Sequence, residues 1–131
     1  YGNTVGLREA PESVTEKLRT MPTDPARVRR SDPGDPEKCP VWQLHQIYAD
    51  EACRQWVQEG CRTAGIGCID CKQPVIDAVL AEQAPIRERA LEYVEQPEVV
   101  RSIIAEGCDQ ARDTARDTLD EVREAMGLLY R

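Results

Sequence analysis

The fold is decided by residues 39–71, which read CPVWQLHQIYADEACRQWVQEGCRTAGIGCIDC. Apolar residues recur at helical spacing after Pro40 and again after Asp50, which is placed to cap the second of these segments. Gly60 is expected to end that segment, because glycine readily takes the left-handed conformation that closes a helix. With little periodicity after it, the stretch from Cys61 to Cys71 is read as a tight loop. The stretch therefore predicts two short helices and a cysteine-rich loop.

The residues before this stretch predict further helix and a loop. Ser13-Val14-Thr15-Glu16 has the pattern of a capping box at a helix start. Thr23-Asp24-Pro25 is read as a second start, with proline at the first helical position. Residues 31–36, SDPGDP, are rich in turn formers and are expected to form a loop that leads to Cys39.

The residues after the cysteines predict two long helices. Pro74 is expected to open the first, with a kink at Pro85, and the second is expected to run from Pro97 to Met126, with Gly127 as its stop. Apolar residues form a stripe along one face of the last helix, and no segment alternates apolar and polar residues as a strand does. These patterns predict an all-α fold.

Composition restricts the function classes. The 131 residues fit one domain, and 17 Lys and Arg against 24 Asp and Glu give a net charge of −7, which disfavours a wholesale polyanion binder such as a DNA-coating protein. No apolar run approaches a membrane helix, and no secretory signal is recognisable, so we expect a soluble, cytoplasmic protein without a membrane partner. The start at Tyr1-Gly2-Asn3, without Met, suggests a processed chain or a fragment.

Four of the six cysteines form the pattern C-x21-C-x6-C-x2-C, through Cys39, Cys61, Cys68 and Cys71. A two-residue gap lets the last two sulfurs share a metal or a cluster edge, and the glycines between Cys61 and Cys68 let backbone amides approach anionic sulfur. Four thiolates suit either Zn²⁺ or a [4Fe-4S] cluster, and spacing alone does not choose between them. The competing interpretation is four small buried hydrophobic residues.

The other candidate residues favour structural roles. Cys108 is expected in the core of the last helix, and Cys53 is expected either buried or exposed as a free thiol. His45 is expected on a helix surface or core edge and not as a metal ligand, and Trp42 and Trp56 are expected as core anchors more than as base-stacking platforms. No phosphate loop, activated nucleophile or acid and base pair emerges, so no catalytic residue is assigned.

The chain resembles the C-terminal part of bacterial tryptophanyl-tRNA synthetases, class I aminoacyl-tRNA synthetases, from the branch whose anticodon-binding region holds an iron-sulfur cluster. The most specific matching stretches are Cys39-Pro40-Val41-Trp42 and the segment from Gly60 to Cys71. Further matching segments are Tyr1-Gly2-Asn3, Thr23-Asp24-Pro25 with Arg27, Arg29 and Arg30, Asp32-Pro33-Gly34, Leu44-His45, Cys71-Lys72, residues 86–90, and the segment from Val122 to Leu128. The resemblance spans nearly the whole chain. The first cysteine gap is one residue shorter than in that branch, and Cys53 is the alternative ligand to Cys39.

The resemblance implies a division of the chain and its partners. Residues 1–31 would follow the Lys-Met-Ser-Lys-Ser loop and connect to a catalytic domain outside this chain that binds ATP and tryptophan. Residues 32–131 would form a helical anticodon-binding domain. Arg62 and Lys72 flank the ligands and are the candidate tRNA contacts, and either could instead pair with Glu59 or Asp70.

The resulting expectation is a tRNA(Trp)-recognising part of a tryptophan-tRNA ligase, inactive alone, with a [4Fe-4S] cluster on the four cysteines supporting the recognition loop. Its expected partners are the tRNA(Trp) anticodon loop, its own catalytic domain and a second subunit of the full-length homodimer, with no DNA. The alternatives are a zinc-stabilised helical interaction module without an RNA role and a redox protein that uses the cluster for electron transfer.

Overall fold

The computed structural model describes residues 3–128, which form five α-helices and one 3₁₀-helix. The helices are α1 (Pro11–Thr20), α2 (Pro40–Tyr48), α3 (Glu51–Arg62), α4 (Cys68–Glu95) and α5 (Pro97–Ala125), with the 3₁₀-helix Pro36–Lys38 before α2. No strand occurs in this part of the chain, so the all-α prediction is confirmed. Tyr1 and Gly2, which carry part of the resemblance, lie outside the described residues.

Most helix starts follow from local chemistry. Proline stands first in α1, α2 and α5, where its fixed φ suits the helix and its missing N–H costs no hydrogen bond. Asp50 caps α3 as expected, because its Oδ1 accepts from the N–H of Cys53 at 2.8 Å. The last helix ends one residue before the predicted Met126, and Gly127 follows at φ +67°.

Two predicted starts before residue 31 are wrong. Ser13 and Glu16 form no capping box, because α1 begins earlier and the Ser13 hydroxyl donates to the carboxylate of Glu9 at 2.5 Å. No helix follows Thr23-Asp24-Pro25. Asp24 Oδ1 instead accepts from the N–H of Ala26 at 2.9 Å, which makes an Asx turn.

The loop between the cysteines is shorter than the predicted stretch from Cys61 to Cys71. Gly60 does not end α3, and it is buried against Ile66, whose Cγ2 would lie 2.7 Å from a Cβ at that position. The helix continues through Cys61, and only residues 63–67 form the loop, with Ala64 as its left-handed residue at φ +57°. Cys68 then begins α4, so Pro74 lies inside that helix and does not open it.

The core lies between α1 and α4. Val14 and Leu18 from α1 meet Val75, Ile76 and Val79 from α4. Partly buried side chains complete the cluster: Met21, Leu44, Tyr48 and Leu80. Buried side chains from Lys72 to Val79 hold α4 on both sides of Pro74, so packing offsets the backbone hydrogen bond lost at that proline.

The chain divides into two compact units between Glu88 and Arg89. The unit before the division contains the core and all four candidate ligands. In the unit after it, α5 buries no residue. Cys108 is exposed, so its predicted core position is wrong, because an apolar stripe on a helix does not by itself bury the side chains that form it. No described helix is both long and apolar enough to cross a membrane.

Candidate functional site

The four cysteines of the predicted quartet line one small cavity. Cys39 immediately precedes α2, Cys61 lies in the last turn of α3, and Cys68 and Cys71 lie in the first turn of α4. The cavity has a volume of about 300 Å³ including its open mouth, and its other lining residues are Thr23, Asp24, Arg27 and Val41. The ends of three helices therefore bring the quartet together.

One buried cation, Arg27, lines the cavity, and a second, Lys72, directly follows the candidate ligand Cys71 in the chain. Arg27 is 8% exposed, its Nη1 lies 4.0 Å from Cys61 Sγ, and its Nη2 donates to the carbonyl oxygens of Arg30 and Ile66. Lys72 is 4% exposed, next to Cys71 in α4. Neither cation forms an ion pair with a carboxylate in the described part of the chain. The buried carboxylate of Asp24 lines the same cavity as Arg27, and the Arg27 charge adds to the backbone hydrogen bonds that lower the pKa of Asp24. Because buried cations are costly, a further anionic group bound to the sulfurs would be favourable here.

Thiol protonation depends on what the sulfurs bind. Burial, followed by the nearby thiols of Cys39, Cys61 and Cys68, raises the pKa of Cys71 to about 12. Burial also raises the pKa of Cys61, although the Arg27 charge opposes this effect. These thiols remain protonated at neutral pH unless a metal cation displaces the protons, as happens at thiolate metal sites.

His45 is fully buried against Cys71. Its Nε2 lies 2.9 Å from the carbonyl oxygen of Cys71 and 3.4 Å from Cys71 Sγ. Burial lowers the pKa of His45, and the hydrogen bond to Cys71 partly opposes this shift, so the ring is neutral at pH 7. The predicted surface or core-edge position is therefore wrong, because α2 turns this side chain towards the cavity.

The covering loop, residues 21–35 between α1 and the 3₁₀-helix, contributes Thr23, Asp24 and Arg27 to the cavity and is held in place by Asp24. This carboxylate is 4% exposed, and Oδ2 accepts from the N–H of Asp35 at 2.7 Å, while Oδ1 accepts from Ala26. These hydrogen bonds, that of Asp35 first, hold the pKa of Asp24 below its ordinary value. Sequence reasoning missed this role, although an aspartate before a proline is a recognisable turn signal.

A wider open cleft adjoins the cavity. Residues 27–30 and 67–70 line it together with Thr23, and it shares Thr23, Arg27 and Cys68 with the cysteine cavity. Arg29 and Arg30 are exposed, and Arg30 makes only a 3.9 Å contact with Asp70. Apolar side chains accompany them, because Val28 is 85% and Ile69 50% exposed. Exposed guanidinium groups beside exposed apolar side chains suit an unstacked, charged polymer such as single-stranded RNA.

The two predicted RNA contacts occupy different environments. Arg62 is exposed at the end of α3, directly after Cys61, and makes no side-chain hydrogen bond or ion pair within residues 3–128. Lys72 is buried, and its ammonium donates to the carbonyl oxygens of Arg19 and Met21, both at 2.6 Å. Lys72 thus satisfies the end of α1, and its ammonium is not presented to solvent.

Within residues 3–128, no three His, Cys, Asp or Glu side chains are arranged to hold a single metal ion. The four thiols nevertheless face one cavity, with buried cations around it. Four sulfur donors in a largely buried pocket match the chemistry of a metal-sulfur group. The donor set and the charges therefore fit such a group.

Comparison with known proteins supplies the family context. No model of a protein family matches the chain. The curated proteins that match it are ligases. Each is described as a tryptophan–tRNA ligase: the relative from Ralstonia nicotianae is 64% identical over 130 residues, that from Thermotoga maritima 45% over 131, and that from Deinococcus radiodurans 43% over 128.

These matches include 98–99% of this chain but only 32–40% of each relative. The homologues of this chain are thus tryptophan–tRNA ligases, and the chain spans about a third to two fifths of their length. The resemblance to tryptophanyl-tRNA synthetases is thus confirmed, and membership of the branch with an iron-sulfur cluster stays a prediction.

Proposed function

We propose that this chain is the tRNA-recognising helical part of a tryptophan–tRNA ligase and that Cys39, Cys61, Cys68 and Cys71 hold a [4Fe-4S] cluster in it. The ATP and tryptophan sites, and the contacts of a homodimer, belong on this proposal to the rest of the ligase, and the reaction takes place in the cytoplasm. The similarity to tryptophan–tRNA ligases along nearly the whole chain supports the first statement. The cysteine cavity supports the second.

Charge supports a thiolate-bound group. Four thiolates around a centre of charge +2 leave about two negative charges, for zinc and for the common cluster state alike. Arg27 and Lys72 are buried near these sulfurs without carboxylate partners in the described residues. The negative charge of the bound group, together with the buried Asp24 carboxylate in the same cavity as Arg27, would compensate these cations.

A zinc ion and a cluster hold the sulfurs differently. A zinc ion draws all four sulfurs to within about 2.3 Å of one point, whereas each cysteine of a cluster binds a different iron. We propose the cluster because the resemblance implies it, and the four cysteines that would hold it share one cavity. Bound there, a cluster would join the ends of α2, α3 and α4 and stiffen the loop of residues 63–67.

One observation supports the RNA role above the others. The wider cleft lined by residues 27–30 and 67–70, which carries Arg29 and Arg30, shares Thr23, Arg27 and Cys68 with the cysteine cavity. Recognition of unstacked bases needs a local basic rim and apolar platforms, not a basic chain, which agrees with a net charge of −7. The proposed tRNA contacts are Arg29 and Arg30, which are exposed in this cleft, and Arg62, which directly follows Cys61. Lys72 is left out because its ammonium is buried.

The first experiment is iron and acid-labile sulfide analysis, with an absorption spectrum, on chain purified without oxygen. We expect about four irons and four sulfides per chain with a broad band near about 400 nm. One zinc per chain without sulfide would contradict the cluster and favour the zinc-stabilised alternative. Fast reduction by a donor in a chain that does not bind tRNA would favour the electron-transfer alternative, and a reversible redox couple that changes tRNA affinity would contradict a purely supporting role.

The second experiment measures binding of a tRNA(Trp) transcript over a range of salt concentrations. Arg30→Ala and Arg62→Ala should weaken binding and reduce the salt slope by about one each, as expected for lost phosphate contacts. The matched control is Arg116→Ala on α5, whose guanidinium is equally exposed and pairs with Asp113 at 3.4 Å. A transcript with replaced anticodon bases should bind more weakly. Equal affinity for both transcripts would contradict anticodon recognition.

A further inference from the structure

We propose that His45 is a positioning residue that fixes Cys71 as a ligand by donating its Nε2–H to the backbone and sulfur of that cysteine. This inference rests on the cluster site proposed above. The side chain reaches Cys71 from α2, while Cys71 lies at the start of α4. The contact therefore joins two helices at one of the four sulfurs.

The geometry defines which atom donates. Nε2 lies 2.9 Å from the carbonyl oxygen of Cys71, and a carbonyl oxygen only accepts, so Nε2 carries the proton. The same N–H lies 3.4 Å from Cys71 Sγ, within the range of a hydrogen bond to sulfur. A nitrogen that donates to both atoms has no lone pair to offer a metal. Nε2, the ring nitrogen beside Cys71, thus acts on the ligand and is not itself one.

Burial makes this contact specific. His45 has 0% exposure, so water does not replace its hydrogen bond when the ring is removed. Nδ1 is buried without a hydrogen-bond partner within the described residues, which leaves the Cys71 contact as the polar interaction that orients the ring. A histidine used only to fill space would be better replaced by an apolar side chain, because the orphaned nitrogen is costly.

The chemical effect is on the Cys71 sulfur. A hydrogen bond to a thiolate stabilises its negative charge, and hydrogen bonds to cluster sulfurs raise the reduction potential. Partners that orient metal ligands change metal affinity by about 10–100-fold when they are removed. Loss of the His45 donor should therefore weaken retention of the bound group and lower its potential.

The test compares two replacements with opposite properties. His45→Leu fills much of the space of the ring but has no hydrogen-bond donor. His45→Gln has no ring but keeps an N–H donor in its side-chain amide. We expect His45→Leu to lose iron to a chelator about tenfold faster than the wild type and to have a lower reduction potential, with His45→Gln close to the wild type in both. The reverse order, with leucine retaining the cluster and glutamine losing it, would show that His45 only fills space.

A matched control uses the other side-chain bridge between the same helices. Tyr48 on α2 donates to Glu82 on α4 at 2.8 Å, remote from the cysteines. Tyr48→Phe should change neither iron loss nor potential. If it changes both as much as His45→Leu does, the effect belongs to helix docking in general and the proposal for His45 fails.

A metal-free measurement separates this proposal from the cluster itself. In the chain stripped of metal, the rate of backbone amide hydrogen exchange in residues 71–76, measured by mass spectrometry, reports how firmly this turn of α4 is held. His45→Leu should raise this exchange rate about tenfold, the effect of one lost hydrogen bond of ordinary strength, and His45→Gln and Tyr48→Phe should not. Wild-type chain that never binds iron would overturn the cluster proposal alone. Equal exchange in all four proteins would overturn the role of His45.

Discussion

The N–H of Gly34 donates to the carbonyl oxygen of Cys61 at 2.9 Å, which places the covering loop directly on a cysteine of the cavity. A Cβ on Gly34 would lie 2.7 Å from Cys61 Sγ and 3.2 Å from Cδ of Arg27. Glycine is therefore needed here for close approach and not for an unusual backbone angle. The resemblance includes this glycine in Asp32-Pro33-Gly34, and the structure supplies the steric reason.

Gly34→Ala should displace the Cys61 sulfur, because its new methyl group overlaps that atom. We expect a loss of about 1–3 kcal/mol in the free energy of unfolding, together with reduced iron content. Urea denaturation and iron analysis measure the two effects. Gly107→Ala is the control, since a Cβ there meets nothing within 4 Å. In that helix it should stabilise by up to about 1 kcal/mol. Equal effects of the two substitutions would contradict the steric account.

Lys72→Met should destabilise the chain even though it places an apolar side chain in a buried position. Two carbonyl oxygens, of Arg19 and Met21 at the end of α1, would lose their donor, at a cost of about 1–3 kcal/mol. Thermal and urea unfolding measure the change. Lys38→Met is the comparison, because the exposed Lys38 contacts only Asp35, at 3.4 Å, and should cost less than about 1 kcal/mol. A neutral Lys72→Met would leave Lys72 available for another role.

Local sequence signals correctly predicted most helix starts, the end of the last helix and the fold class, because these features depend on neighbouring residues. Prolines at helix starts and the Asp50 cap set the starts of α2, α3 and α5, and Gly127 marks the end of the chain's last helix. The all-α class followed from the same periodicities. Gly60 was misread because its small size serves packing against Ile66, a contact that no local pattern reveals.

At the candidate site, too, the sequence predicted local features but not contacts between distant residues. The cysteine spacing selected four residues that line one cavity, and whether they bind a cluster stays a prediction. The buried positions of Lys72 and His45 could not be predicted, because each depends on a partner 26 to 53 residues away in the chain. Cys108 was misplaced because an apolar stripe indicates a face that needs cover but not whether cover is present.

Serine substitutions should separate ligands from other cysteines. Cys61→Ser, Cys68→Ser and Cys71→Ser should each lose iron, because a hydroxyl does not replace a thiolate on this type of site. Cys53→Ser and Cys108→Ser should keep it. Since Cys108 is exposed, its substitution should change the unfolding free energy by less than about 0.5 kcal/mol. Iron per chain, after purification without oxygen, is the measurement. If Cys53→Ser loses iron and Cys39→Ser retains it, the fourth ligand is Cys53 and not Cys39.

The carboxylate of Glu9 should make stability depend on pH. Lys17 Nζ lies 2.6 Å from it, and the Ser13 hydroxyl and the Gly6 N–H also donate to it. These contacts, Lys17 first, lower the pKa of Glu9 from 4.5 to about 2. Because the folded-state pKa is depressed, the stabilisation is fully present above the unfolded value of 4.5 and is lost as the pH falls towards 2.

Glu9→Gln should therefore be less stable than the wild type at neutral pH, with a difference that shrinks from pH 4.5 downwards and vanishes near pH 2. Urea unfolding at a series of pH values measures this difference. Glu16→Gln is the control, because Glu16 is exposed on α1, the helix that follows Glu9, and its carboxylate has no hydrogen-bond or ion-pair partner within residues 3–128. Its profile should run parallel to that of the wild type. A Glu9→Gln difference that stays constant down to pH 2 would show that the Gln variant loses packing or hydrogen bonds unrelated to the carboxylate charge.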